Sequence, residues 1–293
     1  MSVFKPLALV VAMAALVACQ KPAEEQTKQE VASVVEAAAS AVQAASEAQA
    51  VAVDLSAETA EYKTWVEGQI DQLLTESEKF VALLAAGKLD EAKALYPKAR
   101  MYFERSEPVA EIFGDLDPRI DNREADLEQG EKWTGFHAIE KILWTQNTTE
   151  GTKELADQLI ADIKELRAKI PTAEVTGELM ISGSVDLLNE VSTTKITGEE
   201  EIFSKTDLYD FKANIEGAQK IFEILTPKLQ AKDPALVKTL EERFKAVHDL
   251  LDSHKKGDEF KFYNELSADD TKALAEAVNK LGEPLAQMGV LLK

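Results

Sequence analysis

The chain has 293 residues, of which 45% are hydrophobic and 29% charged, and 33 Lys and Arg residues stand against 53 Asp and Glu residues. The formal net charge of -20 argues against nucleic acid as a partner, because binding to phosphates needs basic clusters and the sequence has no basic run. The single Cys excludes an intramolecular disulfide and a cysteine metal cluster, so any metal must be held by oxygen and imidazole ligands.

The N-terminus has the layout of a bacterial lipoprotein signal. Lys5 precedes an apolar run from Leu7 to Val17, which is too short for a membrane-spanning helix. The next residues complete Leu16-Val17-Ala18-Cys19, which resembles a lipobox. We therefore predict a signal peptide at residues 1–18 and a lipid anchor on Cys19. An ordinary signal peptide with an incidental Cys is the alternative.

Residues 19–54 are predicted to be a tether. The segment after Cys19 is rich in Ala, Glu, Gln, Ser and Val and has no aromatic residue, so it lacks large side chains for docking. Such a composition favours a partly helical or disordered chain, which would give the folded part reach from the membrane. The folded domain is then residues 55–293.

Apolar residues recur at helical spacing from Leu55 onward. The first run ends at Gly87, and a second spans Leu89 to Ser106, where Pro97 marks a kink or a boundary. A polar stretch with Asp and Pro residues, Gly114 to Gly130, interrupts the pattern and predicts a long loop, which is often functional.

The remaining sequence continues the helical pattern. No segment alternates convincingly with a period of two, and Asn-Gly and Asp-Gly hairpin turns are absent. We predict an all-α fold of roughly seven to nine helices, arranged as two packed bundles in one domain. The later helical segments are Trp133–Trp144, Lys153–Ile170, Gly177–Val191, Leu208–Leu225, Pro234–His254 and Ala268–Leu292.

The segment Trp133–Trp144 carries the most informative polar pair. In a helix, His137 and Glu140 lie on one face, so an imidazole nitrogen and a carboxylate can converge on one point. This spacing is that of metal ligands, although surface pairs share it. The apolar neighbours Phe136 and Ile139 place the pair on a core helix, where polar groups need partners.

Glu104 and Glu107 form a second pair of carboxylates at the same spacing. Two helices that each direct such a pair into a shared interior are a known way to bind iron or manganese in carboxylate-rich bundles. Solvated glutamates on the surface of an acidic protein would have the same spacing, so both interpretations stay open.

Several motifs resemble those of the imelysin family. Gly135-Phe136-His137-Ala138-Ile139-Glu140 fits its GxHxxE motif, and the similarity is closest to the EfeO/EfeM branch, whose members are periplasmic components of ferrous-iron uptake. Three further stretches are similar to that branch, and the resemblance covers about residues 55–293. They are Glu104–Asp121, Thr197–Glu201 (TGEEE) and Ser204–Phe211 (SKTDLYDF).

The resemblance implies an imelysin-like helical domain with a metal site between its two bundles. Glu199 is the alternative to Glu200 in the TGEEE motif. Asp207 and Asp210 also fall in a family motif, and Asp207 precedes an apolar run where a helix N-cap is expected. The implied ligands are His137, Glu140, Glu104, Glu107, Asp121 and Glu200.

The function that this resemblance implies is iron capture in the periplasm. The protein would bind Fe²⁺ or Fe³⁺, with Zn or Mn as other possible metals, since hard oxygen and imidazole ligands suit all of them. It would pass iron to an inner-membrane permease and work with other components of an Efe-type system. Full-length EfeO-type proteins also carry a cupredoxin domain, whose copper chemistry is not expected here. Gln20 gives no Asp signal for retention, so the anchor is expected in either the inner or the outer membrane.

Two alternative functions stay open from sequence. Some relatives are classed as zinc metallopeptidases, but an HExxH helix needs a second His where this chain has Lys141. Others bind acidic polysaccharide. The remaining histidines, His248 and His254, are expected to lie on the surface. We therefore predict a binding protein rather than an enzyme.

Overall fold

A computed structural model describes residues 53–293. Cys19, the predicted signal peptide and the predicted tether up to residue 52 lie outside the described residues. Within residues 53–293, no helix is both long enough and apolar enough to cross a membrane.

Ten α-helices make up nearly all of the regular structure in this part of the chain, which confirms the all-α prediction. The strands described are two short antiparallel pieces, β1 (Lys255–Lys256) and β2 (Glu259–Phe260). The helices are α1 (Ser56–Ala85), α2 (Leu89–Glu104), α3 (Glu107–Ala110), α4 (Leu116–Asp121), α5 (Gly135–Lys141), α6 (Lys153–Lys169), α7 (Gly177–Thr193), α8 (Asp207–Lys232), α9 (Pro234–Asp252) and α10 (Ala268–Leu291).

The N-terminal bundle is built around α1. This helix packs on α2 and α6, while α5 packs on α4 and α6. Its buried residues follow the spacing of three and four that the sequence predicts, so one face points into the core. Gly87 follows the end of α1 with a φ of 70°, and this left-handed turn leads directly into α2.

The C-terminal bundle consists of α7, α8, α9 and α10. Helix α7 packs on α8 and α10, and α9 also packs on α8 and α10. Helix α8 contacts both bundles, because it packs on α2 as well. It is accordingly buried on most of its surface, from Asp207 through Leu229. The interface of α2 with α8 is where polar side chains enter the core.

The structure corrects three points of the sequence analysis: the long loop, a boundary at Pro97 and the number of helices. Gly114–Gly130 is not one long loop, because it contains α4, whose Leu116 and Ile120 are buried. Pro118 is tolerated there since it lies in the first turn, where backbone N–H groups have no partner in the helix. Pro97 marks no boundary, because α2 continues through it. The rough estimate of seven to nine helices missed the two short helices α3 and α4.

Candidate metal centre

Three of the predicted ligands meet at the interface of the bundles. Nε2 of His137 lies 3.7 Å from Oδ1 of Asp121 and 3.8 Å from Oε1 of Glu200. The imidazole is 1% exposed, and its Nε2 has no hydrogen-bond partner. A buried nitrogen without a partner, facing two carboxylates, fits the requirements of a metal ligand. One ligand atom from each residue lies within 4.8 Å of the others.

A close contact between α4 and α5 brings His137 next to Asp121. Gly135 begins α5 with a φ of 84°, and a Cβ at this position would lie 2.2 Å from the carbonyl oxygen of Ile120. Only glycine allows this approach without strain. The hydroxyl of Thr134 donates to the carbonyl of Arg119 at 2.8 Å, which fixes the entry into α5.

Glu140 holds His137 in place from the opposite side. Its Oε1 accepts hydrogen bonds from the backbone N–H groups of Phe203 (3.0 Å) and Ser204 (2.6 Å). Its Oε2 lies 3.1 Å from Nδ1 of His137. A carboxylate on Nδ1 orients the ring and directs Nε2 toward Asp121 and Glu200. The structure therefore places Glu140 behind the imidazole.

The TGEEE segment contributes its carboxylates unequally. Glu200 is 7% exposed and faces His137, whereas the Glu199 side chain is 51% exposed and pairs with Arg123. Glu201, which sequence reasoning missed, is fully buried, and its Oε1 lies 2.5 Å from Nε of Arg100. Three consecutive glutamates gave no indication that the third would also point inward.

Glu104 and Glu107 pair with buried polar side chains other than His137. Oε2 of Glu104 accepts hydrogen bonds from Nζ of Lys195 (2.6 Å) and Nδ2 of Asn214 (3.0 Å). Glu107 accepts from the same amide at 3.2 Å. Among the described residues, neither glutamate shares a possible metal-ligand group with His137. Glu107 instead groups with Glu111 and Glu190.

Arg100 is the second residue that sequence reasoning missed. Its guanidinium is fully buried and donates hydrogen bonds to Asp121 and Glu104. It also lies 3.6 Å from Glu200. The available signal was its position one helical turn before Glu104, on the same face of α2 as buried Phe103.

Asp207 and Asp210 support the centre from α8. Asp207 is the first residue of α8 rather than its N-cap, which is Thr206, so the predicted capping position was wrong by one residue. Its Oδ1 accepts a hydrogen bond from the backbone N–H of Glu201 at 3.2 Å. Asp210 is fully buried, and neither of its oxygens has a hydrogen-bond partner.

The centre holds more acidic groups than cations. Two buried cations, Arg100 and Lys195, and the imidazole of His137 contact this cluster. Buried acidic groups in excess of the cations around them either keep protons or favour an additional cation. The acidic groups of the centre are seven in number, and they are the carboxyl groups of Glu104, Asp121, Glu140, Glu200, Glu201, Asp207 and Asp210.

The crowding shifts the pKa values of these groups in opposite directions. Burial and the neighbouring Glu140 raise the pKa of Glu201 to about 8. Burial alone would raise the pKa of Glu200, but Lys195 and His137 outweigh burial and lower it. Burial and Arg100 would lower the pKa of His137, yet the neighbouring carboxylates of Glu140 and Glu200 raise it to about 10. A metal at Nε2 must therefore displace a proton.

A cleft of about 290 Å³ adjoins the centre, and both Asp121 and Glu200 line it. Its other acidic residues include Glu107, Asp117 and Glu190. Burial raises the pKa of Asp117 to about 6. The cleft provides an acidic approach to the two carboxylates that face His137.

The remaining histidines lie elsewhere. Nε2 of His248 is 2.6 Å from Oε1 of Gln219, and the side chain is half-buried. His254 is 4% exposed, so the expectation that it lies on the surface was wrong. Neither belongs to a possible metal-ligand group among the described residues.

Comparison with known proteins gives matches along most of the chain. The profile of the imelysin family, also labelled peptidase family M75, matches residues 58–288. An Efem/EfeO family lipoprotein from Staphylococcus haemolyticus is 55% identical over 237 residues, which cover 80% of this chain and 83% of the relative. One from Staphylococcus aureus is 48% identical over 246 residues, covering 82% and 87%.

A solved structure has a similar fold. It is a crystal structure described as a candidate iron-regulated protein A precursor from Parabacteroides distasonis. The TM-score is 0.66 at 15% identity, and the match covers 84% of this chain and 97% of the other. At this level of identity the likeness concerns the fold alone.

Proposed function

The chain belongs to the imelysin family, and from this premise we propose that it is a lipid-anchored iron-binding protein of a ferrous-iron uptake system. It binds iron outside the cytoplasm through His137, Asp121 and Glu200, and delivers the ion to an inner-membrane permease. The acidic cleft beside Asp121 is the route by which the ion enters.

One observation carries the metal-binding part of the proposal. Nε2 of His137 is buried without a hydrogen-bond partner and lies within 4 Å of two carboxylates, Asp121 at the end of α4 and Glu200 in the segment between α7 and α8. Oxygen ligands with one imidazole suit Fe²⁺, Fe³⁺, Mn²⁺ and Zn²⁺ better than Cu⁺, which prefers sulfur. Iron is chosen among these ions because the resemblance to the EfeO/EfeM branch implies it.

The names of the relatives support the anchor and the uptake role. Both staphylococcal relatives are called Efem/EfeO family lipoproteins. Cys19 is the one Cys in the sequence and stands at the end of the predicted signal, so it is the residue that would carry the lipid. We propose a periplasmic location with the anchor in one of the two membranes.

Peptidase activity is not part of the proposal, although the family label includes the word. The position that a zinc peptidase helix fills with a second His is Lys141, whose ammonium pairs with Glu124. The ring of His137 is engaged by Glu140, so that carboxylate has no free position as a general base for water.

Metal titration of the wild-type protein and three variants tests the site. The full chain is purified in detergent, stripped of metal, and titrated with Fe²⁺ under anaerobic reducing conditions and with Mn²⁺. We expect Glu200→Gln and His137→Ala to weaken binding by at least about 10-fold. Glu199→Gln is the control, because this neighbour is exposed and pairs with Arg123.

Two results would overturn the site. One is a wild-type protein that binds neither Fe²⁺ nor Mn²⁺, and the other is equal affinity in wild type, Glu200→Gln and His137→Ala. Cleavage of casein that disappears in His137→Ala would favour the peptidase instead.

The anchor is tested separately by cell fractionation. We expect the wild-type protein in the membrane fraction and Cys19→Ser outside it, with iron affinity unchanged. Retention of Cys19→Ser in the membrane fraction would overturn the lipid anchor without affecting the metal site.

A further inference from the structure

Lys195 places an ammonium group inside the acidic cleft. It begins a short helical turn, Lys195–Thr197, directly after α7, and its side chain is 4% exposed. Its Nζ lies 2.6 Å from Oε2 of Glu104, 3.6 Å from oxygens of Glu107 and Glu190, and 3.7 Å from Oε1 of Glu200. Lysine is rarely buried so completely unless it is paired, and here four carboxylates surround it.

The ammonium and the candidate metal centre share one ligand atom. Oε1 of Glu200 is the oxygen that faces both Nε2 of His137 and Nζ of Lys195. A divalent ion bound by His137 and Glu200 would therefore sit close to a positive charge in a buried, weakly screened site. The two cations repel each other, so metal binding and the observed position of Lys195 oppose each other.

The cleft offers the ammonium another position. Glu190, on α7, is already 3.6 Å from Nζ, and its side chain is 34% exposed, so it lies nearer to solvent than fully buried Glu104. Glu111 is exposed and lies near Glu190, since Glu107, Glu111 and Glu190 form one group of close carboxylates. Rotation of the long side chain toward these two carboxylates keeps the ammonium paired.

We propose that Lys195 is a built-in cation that neutralises the cleft when no metal is bound and moves outward toward Glu190 when a metal ion enters. This inference rests on the proposed function. It makes Lys195 a residue that determines specificity, because an incoming ion must outcompete an ammonium that is already in place. Na⁺ and K⁺ carry the same charge as the ammonium, whereas Fe²⁺ and Mn²⁺ carry twice as much.

Chemical labelling of the wild-type protein tests the movement directly. The full chain in detergent is treated with a lysine-acetylating reagent, with and without saturating Mn²⁺, and modification is quantified by mass spectrometry. We expect Lys195 to be protected in the metal-free protein and to react at least about 10-fold faster with Mn²⁺ bound, because it becomes accessible. Lys153, whose side chain is 85% exposed, is the internal control and should react equally in both samples.

A variant tests the energetic competition. We expect Lys195→Met to bind Mn²⁺ about 10-fold more tightly than wild type, since no ammonium has to be displaced. The metal-free variant should also melt at a lower temperature, because four carboxylates lose their counter-ion. Lys212→Met is the matched control, because Lys212 is partly buried and pairs with Glu216 outside the cleft.

The outcomes separate this inference from the proposed function. If wild type binds Mn²⁺ but Lys195 is equally protected in both samples, the role of Lys195 alone is overturned. The same follows if Lys195→Met binds Mn²⁺ with unchanged or weaker affinity. Absence of Mn²⁺ and Fe²⁺ binding by wild type would overturn the proposed function and this inference with it. The labelling result does not depend on whether Lys195→Met folds.

Discussion

Arg100 is the residue on which the cluster of carboxylates depends for its stability. Its guanidinium lies within hydrogen-bonding or ion-pair distance of Glu104, Asp121 and Glu201, and the side chains of Arg100, Glu104 and Glu201 are fully buried. A buried pair stabilises little in net terms, because desolvation opposes the attraction, but loss of one partner leaves the other charges uncompensated.

We therefore expect Arg100→Met to lower the free energy of unfolding of the metal-free protein by about 3–5 kcal/mol. The measurement is urea unfolding followed by circular dichroism. Arg167→Met is the control, since Arg167 forms an exposed pair with Asp71 and should have little effect. Similar losses in both variants would contradict the structural role of Arg100.

Glu201 makes the stability of the metal-free protein depend on pH. Its pKa is raised from an ordinary value of 4.5 to about 8 in the folded protein by burial and by Glu140. Between these two values the folded state holds a proton that the unfolded state has released. Stability from this group therefore falls as pH rises from about 4.5 to 8, by at most about 1.4 kcal/mol per pH unit.

Glu201→Gln removes this contribution, because the amide resembles the protonated acid. We expect its unfolding free energy to fall less steeply than that of wild type between pH 5 and pH 8, with urea unfolding at each pH as the measurement. Glu199→Gln, on the exposed neighbour, should follow the wild-type curve. Parallel curves for Glu201→Gln and wild type would show that Glu201 is already ionised at pH 5.

The sequence indicated the candidate ligands of the centre more readily than the charged residues that pair with them. The spacing of His137 and Glu140 was visible because both lie on one face of a helix, and the structure does place them together. Lys195 was not visible, because its closest partner, Glu104, lies far from it in sequence. Arg100 stands one helical turn before Glu104, but its pairs with Asp121 and Glu201 also join distant segments. Pairs between distant segments follow from the fold and leave no local pattern.

Among the elements, the contact between α4 and α5 positions the centre. Gly135→Ala should cost about 3 kcal/mol or more in unfolding free energy, since its Cβ would clash with the backbone of Ile120 at a positive φ. The variant should also bind Mn²⁺ more weakly, because His137 can no longer approach Asp121. Gly68→Ala is the control within α1, where a Cβ meets no atom within 4 Å, and should stabilise the protein by about 0.5–1 kcal/mol.

The segment between α7 and α8, which carries Glu200, is held by Tyr263. The Tyr263 hydroxyl donates to the carbonyl of Ile196, and its backbone N–H donates to the carbonyl of Lys205 at 2.8 Å. Its ring also packs against Gly198 at a distance that leaves no room for a Cβ. These contacts fix both ends of the segment and so fix Glu200.

Tyr263→Phe should therefore loosen this segment while the helices keep their packing. We expect faster hydrogen exchange in residues 195–205 and a stability loss of about 1 kcal/mol, as for one hydrogen bond. Tyr62→Phe is the control, because the Tyr62 hydroxyl is buried without a partner and its removal should cost nothing. Unchanged exchange in residues 195–205 of Tyr263→Phe would contradict the role of this contact.

Long helices could be predicted from their apolar spacing, whereas the shortest helices, α3 and α4, could not. The long helix α1 repeats its buried residues many times, so its pattern is unmistakable. Helix α4 has only two buried residues, Leu116 and Ile120, within a polar and Pro-containing stretch. Its helical form depends on packing against α5 and α6, which no local pattern encodes.

At the scale of the whole molecule, the candidate ligands come from both bundles. Asp121 ends α4 and His137 belongs to α5, both in the N-terminal bundle, while Glu200 lies in the segment that joins two helices of the C-terminal bundle. A metal ion bound by all three connects the bundles at their interface. The net charge of -20 should favour the approach of cations to this interface, most strongly at low salt.

A bound ion should therefore stabilise the molecule as a unit rather than one bundle. At a free Mn²⁺ concentration 100 times the dissociation constant, we expect unfolding free energy to rise by about 2.7 kcal/mol, because only the folded state holds all three ligands. Hydrogen exchange should slow in α5 and also in residues 195–205. In Glu200→Gln, any remaining stabilisation should be confined to α4 and α5, since the C-terminal bundle has lost its ligand. Equal protection of both bundles in this variant would mean that the ion reaches the C-terminal bundle through a ligand other than Glu200, and that the two bundles are coupled by a different residue.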